Sequence, residues 1–111
     1  MLISNKKPLG VGDVALVRLP SGEEIIGRVR TSDLATLTLT HTLRIMIQMG
    51  PQGAAVTLLP FMAGADLEAE IAINTTMLAV APVTPGKDMH DEYLRQTSAI
   101  AMPPKGGLLV P

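Results

Sequence analysis

The sequence predicts a mainly β domain, a small and strongly bent five-stranded antiparallel barrel followed by a C-terminal helix. Three observations predict it. From Thr36 to Met49 the odd positions, Leu37, Leu39, His41, Leu43, Ile45, Ile47 and Met49, are mostly apolar, while most of the even positions are polar. Side chains of a strand alternate between faces, so this segment reads as one long strand with a buried and a solvated face. Ahead of it, VALVRL and EEIIGRVRT flank Pro20, Ser21 and Gly22, residues that favour a tight reversal between two strands. Beyond Thr84 and Pro85 the apolar spacing changes to that of a helix.

Taken in order, the first two strands and the long third make an antiparallel meander. Gly27 lies in the middle of the second strand, where it marks a sharp bend or a close backbone approach. Asp33 stands in the next connection, SDLA, where its carboxylate can accept from backbone N–H groups of the turn. After the turn GPQG, AAVTLL is a fourth strand pairing back on the third, and PFMAGAD interrupts it as a bulge or excursion. Pairing resumes in LEAEIAI, reverses through Asn74, Thr75 and Thr76, and ends in a short apolar fifth strand, MLAVAPV. Such a sheet can close on itself.

For the helix, Thr84 is the expected N-cap and Pro85 the first helical residue, with Asp88, Asp91 and Glu92 near the positive end of the dipole. Met89, Tyr93, Gln96 and Ile100 share one face, and Asp91 with Arg95 forms an i,i+4 pair on another. The helix either caps its own barrel or docks a partner. The expected organisation is thus one domain over 1–111: barrel at 12–83, helix at 84–100, and a tail at 101–111 without periodicity.

Composition narrows the classes. At 111 residues the chain has room for one core, yet 47% of it is hydrophobic and only 17% charged, so apolar surface is left over for an interface. No cysteine is present, which removes disulfides, thiolate chemistry and the favoured zinc ligand. A net charge of -1 supplies no global attraction to nucleic acid or anionic lipid. Lys6 and Lys7 fall where a signal peptide would need its apolar run, and no apolar stretch reaches membrane-spanning length, so a cytoplasmic protein without membrane contact is expected.

The succession of Val14, Leu16, Gly22, Gly27, Val29, Asp33 and the Leu37–Ile47 alternation resembles the first motif of Sm-like proteins, whose fold is a bent barrel of SH3 type. The pattern covers roughly residues 12 to 83, and DLATLTL, INTTMLAV and the helix with DEYLRQTSAI look most like the divergent Sm-like proteins of large tailed phages. The resemblance implies a homo-oligomeric ring formed by strand edges, non-enzymatic, needing no cofactor or metal, in the cytoplasm of a prokaryotic host. It also implies either a binding or scaffolding role toward a protein partner, or single-stranded RNA binding at the inner rim, where Asp33 and Asn74 would lie. The chain departs from the family's RNA pocket. The second motif, an Arg-Gly or Lys-His pair, is replaced by INTTML, and Ala35 and Leu37 stand where the first motif has an aromatic or His and an Asn.

Other residues carry alternative readings. His41 interrupts the apolar face of the third strand, either as a hydrogen-bonded structural imidazole or as part of a site or interface. His90 has no second His or Cys at ligand spacing and reads as a surface residue. Asp66, Glu68 and Glu70 alternate, forming either a carboxylate cluster or a solvated strand face. Arg18, Arg28 and Arg30 could contact phosphate or pair with Glu23, Glu24 or a neighbouring subunit, and the only aromatics, Phe61 and Tyr93, do not match the family's stacking position. No phosphate loop or nucleophilic triad is evident.

Overall fold

A computed structural model describes the backbone of residues 9–101 and the side chains of 9–98. Lys6, Lys7, the side chain of Ile100 and all but the first residue of the expected tail lie outside the described residues. The elements are strands β1 (Val14–Arg18), β2 (Glu24–Ser32), β3 (Thr36–Gly50), β4 (Gly53–Pro60) and β5 (Ile71–Asn74), a 3₁₀ turn (Thr75–Met77), and helix α1 (Lys87–Ala101). All strand pairs are antiparallel, in the order β1-β2-β3-β4, with β5 also pairing β3.

Strand β3 organises the sheet because its length lets two strands share one of its edges. Thr36–Leu39 pairs with β5, and Leu43–Gly50 pairs with β4. Between β4 and β5 the excursion Phe61–Glu70 leaves the sheet, as Pro60 and Gly64 predict.

The expected single apolar face of β3 is not what forms. At the β2–β3 ladder, Ile26 pairs with Leu43 and Arg28 with Thr40, so His41 and Thr42 together face Gly27 alone. This is a bulge, and His41 takes the positive φ of 52° that the extra residue requires. One additional residue inverts the side-chain parity. Leu37 and Leu39 therefore join Ala15, Val17, Ile25, Val29 and Ile73 in one core cluster, while Leu43 joins Val14, Ile26, Leu58 and Tyr93 in another. Thr40 and Thr42, expected on a solvated face, are buried.

Gly27 is the partner of that bulge. A Cβ at this position would lie 3.1 Å from both Leu39 Cβ and Thr42 Oγ1. Close approach across the kink is thus the reason for a mid-strand glycine. A second register shift between Val29 and Thr31 bends β2 further.

The closed barrel does not appear as such. After the 3₁₀ turn, the segment expected as a fifth strand makes one antiparallel bridge to β1, with Leu16 N–H donating to Val83 O at 2.8 Å and Val83 N–H to Leu16 O at 3.0 Å. Among the described residues the sheet has five strands, the fifth being Ile71–Asn74, and no continuous ladder closes it. Pro82 removes a donor beside that bridge, which limits its extension.

Helix α1 starts three residues later than the expected N-cap, with Gly86 O accepting from His90 N–H at 2.9 Å. It covers the sheet face that holds Val14, Ile26, Leu43 and Leu58 by inserting Tyr93, which is fully buried, with Met89 and Leu94 alongside. Burying such a side chain contributes about 1.5 to 3 kcal/mol. The helix caps its own sheet. The expected Asp91–Arg95 pair is absent: Lys87 pairs with Asp91 at 2.8 Å and Arg95 with Glu92.

Candidate functional site

Asp33 and Asn74, the two residues expected at a binding rim, are brought to one end of the sheet. Thr36 and Asn74 are Cα partners at the start of the β3–β5 ladder, and Thr75 N–H donates to Ala35 O at 2.9 Å. The local folding of each explains its position. Asp33 Oδ1 accepts from Ala35 N–H at 3.2 Å and from Thr36 N–H at 3.0 Å, which closes the β2–β3 turn. Asn74 is the N-cap of the 3₁₀ turn, its Oδ1 accepting from Thr76 N–H at 3.0 Å and from the Thr76 hydroxyl at 2.7 Å.

Both oxygens are therefore already engaged by their own turns. Asp33 keeps its second carboxylate oxygen, and Asn74 keeps its amide N–H donors, as the groups a ligand at this rim could use. Beside them Leu34 is fully exposed and Met77 is largely exposed. The rim thus offers a few polar groups framed by apolar side chains and no aromatic.

The arginines do not converge. Arg18 pairs with Glu24 at 2.6 Å, Arg30 with Glu70 at 3.3 Å, and Arg28 donates to Gly12 O at 2.9 Å. Arg44, which drew no reading from the sequence, pairs with Glu23 at 3.2 Å. Exposed pairs of this kind contribute little to stability, but they leave less free positive charge for phosphate.

The alternating acids also part company. Asp66 and Glu68 lie in the excursion, not on a strand, so alternation does not align them on one face, and Glu70 is the partner of Arg30. Among the described residues no group of three or more His, Asp or Glu side chains is placed to hold a metal ion.

The half-buried imidazole of His41 has Thr40 Oγ1 at 3.3 Å from its Nδ1, as the reading of a hydrogen-bonded structural His expects, and its backbone is in addition the junction of three segments. Its N–H donates to Leu67 O of the excursion at 2.9 Å, and its carbonyl accepts from the Tyr93 hydroxyl of α1 at 2.7 Å. Thr40 Oγ1 adds a bond to Glu68 O at 2.9 Å, and Phe61 N–H donates to Thr42 O at 3.0 Å. Thr42 Oγ1, buried beside Gly27, has no protein partner. Thr42 also lines a small recess with Pro60, Met62, Asp66, Leu67 and Ile71. Sequence spacing carries no signal for this junction, because the bonds use backbone groups of a bulge.

Among the described residues Tyr93 is the strongly shifted titratable group: burial pushes its hydroxyl up to about 12. On the exposed side of α1, the hydrogen bond from Arg95, and then that from Gln96, holds Glu92 below the usual carboxylate range. No described helix is long and apolar enough to cross a membrane. Compared with known families and curated proteins, the chain matches no family model and no curated protein.

Proposed function

We propose that this chain is a non-enzymatic binding or scaffolding subunit of Sm-like type that assembles into a homo-oligomeric ring. The observation that carries the reading is the state of the sheet. Among the described residues the order β1-β2-β3-β4 ends in two strands joined by no ladder, only the Leu16–Val83 bridge reaches β1 from the far side, and large apolar side chains are exposed on a small body. Unpaired edges together with surplus apolar surface favour edge-to-edge association of copies. The bent five-stranded arrangement, the 3₁₀ turn before the last β1 contact and the glycine at the bend add support for the Sm-like reading. A phage origin belongs to the same reading and rests on the sequence resemblance alone.

Direct binding of single-stranded RNA is the second reading, favoured by the meeting of the Asp33 turn and Asn74 at one rim. It ranks second because both side-chain oxygens cap turns and no aromatic stands beside them.

Gel filtration with light scattering tests the assembly, and the absorbance ratio of the same peak tests the cargo. With one Tyr and no Trp, the protein absorbs so weakly near 280 nm that bound nucleic acid would dominate the spectrum. A stable multimer free of nucleic acid is expected. A monomer at micromolar concentration overturns the ring, and a nucleic-acid spectrum that persists in high salt moves the RNA reading to first place.

A further inference from the structure

Helix α1 packs into one of the two core clusters and not into the other. Tyr93, Met89 and Leu94 join Val14, Ile26, Leu43 and Leu58, whereas the cluster of Val17, Ile25, Val29 and Leu39 holds no residue of the helix among those described. The neighbours Ile25 and Ile26 are both fully buried, one in each cluster, because successive side chains of β2 point to opposite faces. Lifting the helix therefore opens one core and leaves the other closed.

The attachments along this part of the chain differ in kind. Up to residue 85 the chain is anchored: Val83 shares two backbone hydrogen bonds with Leu16, and Pro85 is buried. Gly86 follows, exposed, with nothing within 4 Å of the position a Cβ would take. Packing does not hold it, and glycine has the widest backbone freedom of any residue. A joint thus separates the anchored segment from the helix.

Within α1 the charges serve the helix and not the sheet. Lys87 pairs with Asp91, and Glu92 accepts from Arg95 and Gln96, all on the helix itself. Thr97 Oγ1, though buried, donates back to Tyr93 O at 2.8 Å. Among the described residues, side-chain hydrogen bonding from helix to sheet comes from the Tyr93 hydroxyl, at the bulge carbonyls of His41 and Thr40. Water can reach both phenol and carbonyl once the helix is lifted, so opening leaves no orphaned polar group.

We infer that α1 is a hinged cover that lifts from the sheet at Gly86 as one unit, with the Tyr93–His41 hydrogen bond as its catch, while the sheet and the cluster around Ile25 stay folded. Opening bares Ile26 and Leu43 and frees a carbonyl of the residue whose N–H holds Leu67 of the excursion. The inference is independent of the assembly reading, since joint, catch and both clusters lie within one chain.

The sequence has no cysteine, so a single introduced thiol reports one position in the otherwise complete chain. Ile25→Cys and Ile26→Cys place that thiol in either core on adjacent residues of β2: fraying of the sheet exposes both alike, and lifting of α1 exposes the second alone. Labelling with an aromatic disulfide reagent is followed at rising urea below the unfolding transition, each rate being compared with the unfolding equilibrium of the same variant. Ile26→Cys is expected to react roughly tenfold faster than Ile25→Cys, with a shallower urea dependence, because lifting a helix exposes less surface than unfolding the chain. Adding Tyr93→Phe to Ile26→Cys should raise its rate about five-fold, the equivalent of one lost hydrogen bond. Equal rates with equal urea dependence overturn the cover, since α1 then leaves only with the whole fold. A fast Ile26→Cys that Tyr93→Phe does not accelerate overturns it too, because the moving element is then the excursion that brings Leu67 to the same cluster. Should either Ile variant fail to fold, Val17→Cys and Val14→Cys repeat the comparison on β1 with the same outcomes. Hydrogen exchange of the wild-type chain asks the question without substitution: faster exchange of α1 amides than of β2 amides supports the cover, and equal protection overturns it.

Discussion

The Tyr93 hydroxyl donates to the His41 carbonyl at 2.7 Å, joining the middle of the C-terminal helix to the bulge in the longest strand, 52 residues earlier in the chain. The same phenol lies 3.4 Å from Thr40 O. A bulge turns its carbonyls out of the regular ladder, and this one is satisfied by a side chain instead of by a neighbouring strand.

Replacing Tyr93 by Phe is expected to keep the packing and lose that bond. With the His41 carbonyl left without its donor, the cost is about 1 to 3 kcal/mol. Urea unfolding measures it, and an unchanged midpoint would show that the bulge does not depend on the phenol.

The raised pKa of Tyr93 gives a pH dependence of defined sign. In the unfolded chain the phenol ionises near its ordinary value of 10.0, whereas in the fold it holds its proton up to about 12. Its contribution to stability is therefore fully present below pH 10 and is lost as pH rises through 12. Thermal midpoints should fall across that window in the wild-type chain, with a shallower fall in Tyr93→Phe. Parallel profiles would contradict the assignment.

At Gly27 a methyl group would meet Leu39 Cβ and Thr42 Oγ1 at 3.1 Å. Gly27→Ala is expected to destabilise by about 1 to 3 kcal/mol through overpacking at the bend, despite the usual benefit of removing a strand glycine. A more stable variant would show that β2 and β3 can move apart.

Thr42→Val makes the opposite prediction at the same contact. The hydroxyl is buried without a protein partner, so an isosteric methyl should leave stability unchanged or raise it by about 1 kcal/mol. A clear loss in a melting experiment would indicate a hydrogen-bonded water on Thr42 in the recess beside Asp66.

Asp33→Ala and Asn74→Ala should each lower stability by about 1 kcal/mol, since each removes two local hydrogen bonds. Neither should alter RNA affinity, which is expected to be weak at physiological salt because among the described residues no stacking aromatic or free positive patch accompanies them. Titration with labelled U-rich and A-rich oligonucleotides checks this. Tight binding that disappears in either variant would assign the rim to RNA.

What the sequence determined by itself is what depends on neighbours along the chain. The reversal at Pro20–Gly22, the cap at Asp33, the turn after Met49, the interruption at Pro60 and the helical spacing around Tyr93 are local, because short-range sterics and side-chain-to-backbone bonds specify them. The bend at Gly27 was legible for the same reason. Tertiary structure alone decided the rest. Alternation from Leu37 to Met49 reads as one buried face, but a bulge at His41 and Thr42 moves Leu43 to the other core, and no pattern of hydrophobicity marks where a ladder slips by one residue. The last apolar segment reads as a strand, yet it gains a single bridge to β1, because a strand needs a run of ladder bonds with a partner as well as apolar side chains, and Pro82 supplies no donor beside Val83. The limit of the core along β3 is likewise invisible in sequence: Ile45 and Ile47 have the same character, and only the point where β2 ends and α1 stops covering the sheet leaves one packed and the other exposed.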